Sequence, residues 1–324
     1  MNDQAGAEVA TEASANAEAV RARWSENHDE AFSREVFWLA VREVRDRYRY
    51  KATGGEASGT WTSYLVNRFL GPEAHALHAV SLGCGPGSLE RELHQLRSFS
   101  RCDAFDITPA TIETARSEAA RSGISNIDYA VRDLQSEGLP RKGYDVAWCN
   151  AILHHIERLE FVLDEVHASL APGGWLFVND YVGANRFDMP ERQRECLSSL
   201  FRLIPQRLRR SCFEGSGRHV MSAPAIPDPE AVIRADPSEA VRSEDIVAAI
   251  GERFDIVARH DCGGSLLHWI LGGIAGNFTS QDPASMRCLQ MLFDAEDVLL
   301  ESGELTSDFA VIAARPKSSY RRPG

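Results

Sequence analysis

Three glycines, Gly83, Gly85 and Gly87, stand at G-x-G-x-G spacing between an apolar run, residues 79–82, and an amphipathic stretch, residues 89–96. Strand, glycine turn and helix in that order open a doubly wound α/β sheet, and backbone amides at the turn can meet a nucleotide-like ligand. A Cβ at any of the three would obstruct the turn or hold the ligand off the backbone. Asp106 closes a second apolar run, residues 102–107, about 20 residues further on, where a carboxylate can grip ribose hydroxyls. His154 and His155 follow a further run, residues 144–149, on the side where strands of such sheets present ligands. Either imidazole could act as a general base, because its pKa lies near neutrality. The competing reading is structural, with both rings hydrogen-bonded to the turn and shaping a pocket. Asp180 and Tyr181 close the run at 175–178 and could orient an acceptor, or merely end a solvated strand.

The elements that must position these residues alternate regularly. Strands are expected at 79–82, 102–107, 127–131, 144–149 and 175–178. Helices are expected from Leu89, from Thr108-Pro109 and over 159–170. Thr108 suits the N-cap and Pro109 the first helical position. The Pro172-Gly173-Gly174 sequence reads as the stop of the 159–170 helix. Such alternation implies a parallel sheet covered on both faces.

Taken in order, Leu82-Gly83-Cys84-Gly85-Pro86-Gly87, Phe105-Asp106-Ile107, Arg132-Asp133-Leu134, residues 150–156 and Leu170-Ala171-Pro172-Gly173-Gly174 resemble the motifs of class I S-adenosylmethionine (SAM)-dependent methyltransferases. The likeness spans about residues 76–182 plus a closing strand pair at 254–260 and 309–314. It implies a Rossmann-like seven-stranded sheet, last strand antiparallel, with N-terminal helices and helical insertions after strands 5 and 6. It also implies that SAM is the cofactor. Gly83, Cys84, Gly85, Pro86 and Gly87 would hold its amino-acid end, Asp106 and Ile107 its ribose, and Asp133 and Leu134 its adenine, with Asn150 beside the methyl donor. Of the two histidines the resemblance favours His155 as base. A dinucleotide fingerprint wants Gly or Ala where Ser88 stands, and no Tyr-x-x-x-Lys pair follows the fourth strand, so a nicotinamide-dependent oxidoreductase is the weaker alternative.

Composition bounds the partners. A net charge of −12 argues against nucleic acid or an anionic membrane, both of which need a basic footprint. The longest apolar stretch, residues 266–275, is too short to span a bilayer. Seven cysteines, with no C-x-x-C pair, favour reduced thiols in a cytoplasmic protein, and no metal site is expected from their spacing. No basic residue precedes Arg21 and no apolar run stands there, so no leader is expected. Oligomerisation is left open.

Residues 1–20 read as a disordered tail and 21–75 as a helical cap, with Phe32, Val36, Phe37, Ala40, Val41, Val44 and Tyr48 at helical spacing. Residues 76–185 form the SAM-binding core. Residues 186–253 form an insertion serving as an acceptor lid, and its stretch 211–236 has the Pro/Gly/Ser content of a mobile loop. Ser243 reads as a helix cap. Residues 254–316 complete the sheet around a second insertion, and 317–324 form a tail. Pro205 should break the helix expected over 190–210. Arg202, Arg207, Arg209 and Arg210 could draw an anionic acceptor, and His268, Trp269 and Phe278 could line an aromatic one. Core packing and a solvated face are the blander readings. These features together predict a methyltransferase acting on a small-molecule acceptor, of secondary-metabolite or sugar-like type, with a non-catalytic SAM-binding protein as the alternative.

Overall fold

The computed structural model describes residues 36–56 and 59–322, together with Glu18, Val20 and Arg21. The expected tail at 1–20, Phe32 and part of the linker before Trp61 fall largely outside these residues. Seven strands form one sheet: β1 (His78–Leu82), β2 (Arg101–Asp106), β3 (Ile127–Val131), β4 (Tyr144–Asn150), β5 (Leu170–Tyr181), β6 (Phe254–Gly263) and β7 (Phe309–Pro316). Their spatial order is β3-β2-β1-β4-β5-β7-β6. The first five are parallel, and β7 runs antiparallel to both β5 and β6. The strand order reverses between β1 and β4, where Leu82 pairs with Cys149. The crevice beyond the carboxyl ends at such a reversal is where open α/β sheets bind ligands.

Alternation along the strands separates two cores. Ala79, Cys102, Val146, Trp148, Trp175, Phe177, Val311 and Ala313 point to one face, where Trp38, Val44, Tyr48 and helix Arg42–Ala52 pack with the insertion helices Glu191–Leu203, Leu267–Leu271 and Pro283–Glu301. Val80, Leu82, Ala147, Cys149, Leu176, Val178 and Ile312 point to the other, against helices Leu159–Ser169 and Ile246–Arg253. The N-terminal segment, the second insertion and the helix Glu191–Leu203 of the first thus build on one face, while the first insertion's last helix, Ile246–Arg253, packs with Leu159–Ser169 on the other.

Four local expectations change. Strand β5 begins at Leu170 rather than Trp175: Leu170 already pairs with Tyr144, and the register slips at a bulge before Val146 ↔ Trp175. The Pro-Gly-Gly sequence is absorbed within the strand, and a Cβ on Gly174 would stand 3.0 Å from the Ala171 carbonyl. The helix expected over 190–210 breaks at Pro205 as expected, ending at Leu203, but the part beyond the proline is a single 3-10 turn, Gln206–Leu208, rather than helix to Arg210. Thr108 occupies its N-cap position without a side-chain cap; the Asp106 carboxylate takes its amide instead at 2.9 Å. Ser243 is fully buried and its hydroxyl donates to the Ala184 carbonyl, so it does not cap the following helix.

Candidate active site

Gly83, Gly85 and Gly87 all have positive φ, which lets the chain turn sharply from β1 into helix Ser88–Gln95. Their surroundings differ. A Cβ on Gly83 would overlap Ile152 at 2.4 Å, whereas one on Gly85 would meet nothing within 4 Å. Gly83 is needed for packing; Gly85 presents bare backbone to open space. Beside it the half-buried Asp106 accepts from the Gly85 amide at 2.9 Å through Oδ2 and from Thr108 through Oδ1. Cys84 is buried, its amide donating to the Phe105 carbonyl, and burial raises its thiol. Pro86 is exposed at the tip of the turn and Ile107 is half-buried next to Asp106.

Sequence reading missed Glu90. It is fully buried beneath this turn, with Oε1 taking the hydroxyl hydrogen bond of Ser81 and Oε2 without a partner among the described residues. Burial pushes its carboxyl up to about 7, against the lowering effect of Ser81. The signal was present: Glu90 lies between Leu89 and Leu93, inside the helix's buried stripe.

Asp133 caps helix Leu134–Glu137 by accepting from the Gln135 amide at 3.0 Å, and Leu134 is buried behind it. At the end of β4, Asn150 accepts from Asn179 Nδ2 at 2.8 Å, and Asn179 Oδ1 accepts from the Tyr48 hydroxyl at 2.7 Å. The N-terminal helix is thereby tied directly to the rim of the crevice. Asn179 was not singled out from sequence, and Tyr48 was read only as part of the N-terminal apolar stripe.

Beyond Asn150 the chain enters the left-handed region at Ala151 (φ +51°), a strained conformation for a residue with a Cβ and one that clusters at functional sites. The 3-10 turn Leu153–His155 follows. Asp180, 2% exposed, organises this turn: Oδ2 accepts from the amides of Ile152 and Leu153, and Oδ1 accepts from Tyr181 N and from His154 Nδ1 at 2.5 Å. Asp180 therefore faces inward rather than toward an acceptor. Tyr181 does too, buried at 5% exposure with its hydroxyl donating to the Ala184 carbonyl. His154 Nε2 lies 3.6 Å from Glu239 Oε1. Burial opposes charge on His154, but Asp180, Glu239 and Asp236 overcome it and push the imidazole up to about 9. The His155 ring lies 4.0 Å from it between centroids, tilted by 41°, and is held well below the ordinary histidine value by burial and by His154. The two histidines do come together, with Glu239 from the first insertion, a residue sequence reading did not propose.

On the cap face lies a cavity of about 420 Å³ walled by Val36, Trp38, Phe213, Ala225, His268 and Trp269 among others. Burial pushes His268 down to about 4, so it is neutral at pH 7. Phe278 is buried in the core and lines no part of this cavity. The expected arginine cluster faces elsewhere: Arg207 pairs with Asp282 at 2.5 Å and Arg209 lies over the Phe201 ring. The 211–236 stretch is anchored at both ends, Cys212 N donating to the Gly273 carbonyl and buried Asp236 accepting from Ser238.

Residues 80–176 match the family model described as a methyltransferase domain. Over 151 residues the chain is 32% identical to trans-aconitate 2-methyltransferase of Mycobacterium tuberculosis, a match covering 44% of this chain and 53% of that one. Over 121 residues it is 27% identical to malonyl-[acyl-carrier protein] O-methyltransferase 1 of Ilyobacter polytropus, covering 37% and 42% respectively. The chain spans about half the length of the curated relatives it matches. A crystal structure of geranyl diphosphate C-methyltransferase from Streptomyces coelicolor A3(2) superposes with a TM-score of 0.53 at 13% identity, covering 93% of this chain and 98% of that one, which shows a shared fold. Residues 80–176 thus match a methyltransferase domain, and the strand order and motif series agree with the class I SAM-dependent methyltransferase resemblance. Among the described residues no helix is long and apolar enough to cross a membrane.

Proposed function

We propose that this chain transfers a methyl group from SAM to an apolar or aromatic small-molecule acceptor by in-line displacement. The observation that carries this reading is the pairing of Gly85's open backbone with the Asp106 carboxylate at the strand-order reversal, within the matched domain. SAM supplies a methyl group on a sulfonium, which leaves as a neutral thioether and needs little covalent help. Asp106 exchanges its bond to the Gly85 amide for ribose hydroxyls, the glycine turn and Asn150 hold the amino-acid end, and Asp133 meets the adenine amino group. The chain's contribution is then to hold donor and acceptor about 3–3.5 Å apart in line. No proton transfer is assigned to the histidine pair.

The cavity supports the acceptor class. Its wall is aromatic and carries no charged side chain, and Trp38 belongs to the same aromatic cluster as Tyr48, whose hydroxyl leads through Asn179 to Asn150. The curated relatives named above are a trans-aconitate 2-methyltransferase and a malonyl-[acyl-carrier protein] O-methyltransferase, matched over 44% and 37% of this chain. The 211–236 stretch, which contributes Phe213 and Ala225, is assigned the role of acceptor lid. A cytoplasmic setting goes with seven cysteines that are all buried and form no disulfide. Calorimetry with SAM and its demethylated product tests the cofactor assignment. Radiolabelled methyl transfer to a panel of indoles, phenols and carboxylic acids tests the acceptor class. Saturable binding with label entering only carboxylates would overturn the second while sparing the first.

A further inference from the structure

The turn after β4 and the first insertion bring together His154, His155 and Glu239, whose metal-competent atoms all lie within 4.8 Å of one another. The hydrogen bonds around them fix which ring atoms face the centre. Asp180 accepts four hydrogen bonds, two of them backbone amides on Oδ2, so its contact with His154 Nδ1 is donated by the imidazole. Ser238 spends its hydroxyl hydrogen on Asp236 Oδ1 at 2.7 Å, so its 3.0 Å contact with His155 Nδ1 is donated by that imidazole too. Both rings are thus anchored through Nδ1–H on oxygen, the arrangement by which proteins orient an Nε2 lone pair toward a metal ion. Glu239 completes the set, held by backbone bonds that pin its segment to the turn: Arg186 Nη1 donates to its carbonyl at 2.8 Å and Val241 N donates to the His154 carbonyl at 3.0 Å.

We propose that His154, His155 and Glu239 bind a first-row divalent cation, zinc foremost, which clasps the insertion to the end of β4. Two imidazoles and one carboxylate are the donor set of zinc and its neighbours rather than of magnesium or calcium, which take oxygen. Three protein ligands leave a fourth position for water or an oxygen of a bound molecule. The assignment stands independently of the methyl-transfer reading, because it needs neither SAM nor an acceptor. The competing account is a protonated His154 bridging Asp180 and Glu239 with no cation at all.

Titration of the chelator-stripped full chain with Co²⁺, followed by its visible d–d absorption, separates the two. The proposal predicts a saturable one-to-one band that Zn²⁺ abolishes. Glu239→Gln, which keeps shape and removes charge, should weaken Co²⁺ at least tenfold while far-ultraviolet circular dichroism and SAM binding stay as in the wild type. Ser238→Ala, which frees the His155 ring, should cost roughly 10–100-fold, the usual penalty for losing an outer partner of a ligand. Absence of a one-to-one band in the wild type would overturn the proposal. So would unchanged Co²⁺ affinity in folded Glu239→Gln. If that variant fails to fold, the wild-type stoichiometry and Ser238→Ala decide.

Discussion

The two faces of the sheet carry different kinds of information. On the crevice side, β1 to β5 place Gly85, Asp106, Asp133 and Asn150 at strand ends, each within a short local motif. On the cap face, Trp38, Phe213, Ala225, His268 and Trp269 come from three separate stretches of chain and meet only in the folded molecule. In the function proposed above, the first arrangement serves the cofactor and the second the acceptor. The family model matches residues 80–176, which contain Gly85, Asp106, Asp133 and Asn150 but none of these cavity residues.

The largest expected effect would break that division at the cap. Gly273 has φ +77°, and a Cβ there would stand 2.3 Å from the Phe213 ring. Gly273→Ala should therefore reshape the cavity wall. A change of about one methyl group in an apolar pocket is worth about 1–3 kcal/mol, roughly 10–200-fold in kcat/KM. SAM affinity should stay at the wild-type value. Steady-state kinetics with an apolar acceptor, alongside calorimetry, checks both halves. Equal losses in both would dissolve the separation of the faces.

On the crevice side, Asp106→Ala should weaken SAM by roughly 10- to 150-fold, since hydrogen bonds to a charged acceptor are worth about 1.5–3 kcal/mol. The melting temperature should change little, because the group ends a strand and is only half-buried. Unchanged affinity by calorimetry would remove Asp106 from the site.

These residues also mark how far the sequence reaches. Gly83, Gly85, Gly87 and Asp106 were legible because a turn and a strand end are set by neighbours in the chain. The bulged start of β5 was not, because Pro172-Gly173-Gly174 stops a helix and interrupts a strand by the same local chemistry, and pairing with Tyr144 decides. Asp180 looked like a ligand-facing acid, yet its oxygens are consumed by the turn it supports. Glu239 was invisible beside His154 and His155 because the whole of β5 and much of an insertion separate them. The seven-stranded sheet with an antiparallel last strand was expected from the resemblance, whereas the order β3-β2-β1-β4-β5-β7-β6 is set by pairings between distant segments and was read only from the structure.

Glu90 sharpens the comparison through pH. Its folded-state pKa of about 7 lies above the ordinary carboxyl value of 4.5, so it contributes stability that is complete below about pH 4.5 and is lost as pH rises through 7. Asp308, buried on the cap face and also pushed up to about 7, acts in the same direction. Wild-type stability should fall between pH 5 and pH 8 by a share on the order of 1–3 kcal/mol from Glu90. Glu90→Gln should flatten that part of the slope and leave the part due to Asp308. Urea midpoints across this range measure it; an unaltered slope would place Glu90 outside the titration.

The smallest expected effect tests the one polar link between the faces. Tyr48→Phe removes the hydrogen bond to Asn179 and costs about 0.5–1.5 kcal/mol, a few-fold to about tenfold in SAM affinity if Asn150 depends on it. An affinity equal to wild type would show that the cap does not reach the cofactor through this chain of amides.

The most direct measurement is calorimetric titration of the purified full chain with SAM, with the demethylated product and with NAD, on wild type and Asp106→Ala in parallel. The account predicts one-to-one binding of SAM and of its product, a loss of about tenfold or more in Asp106→Ala, and no binding of NAD. Saturable binding of NAD with none of SAM would contradict it.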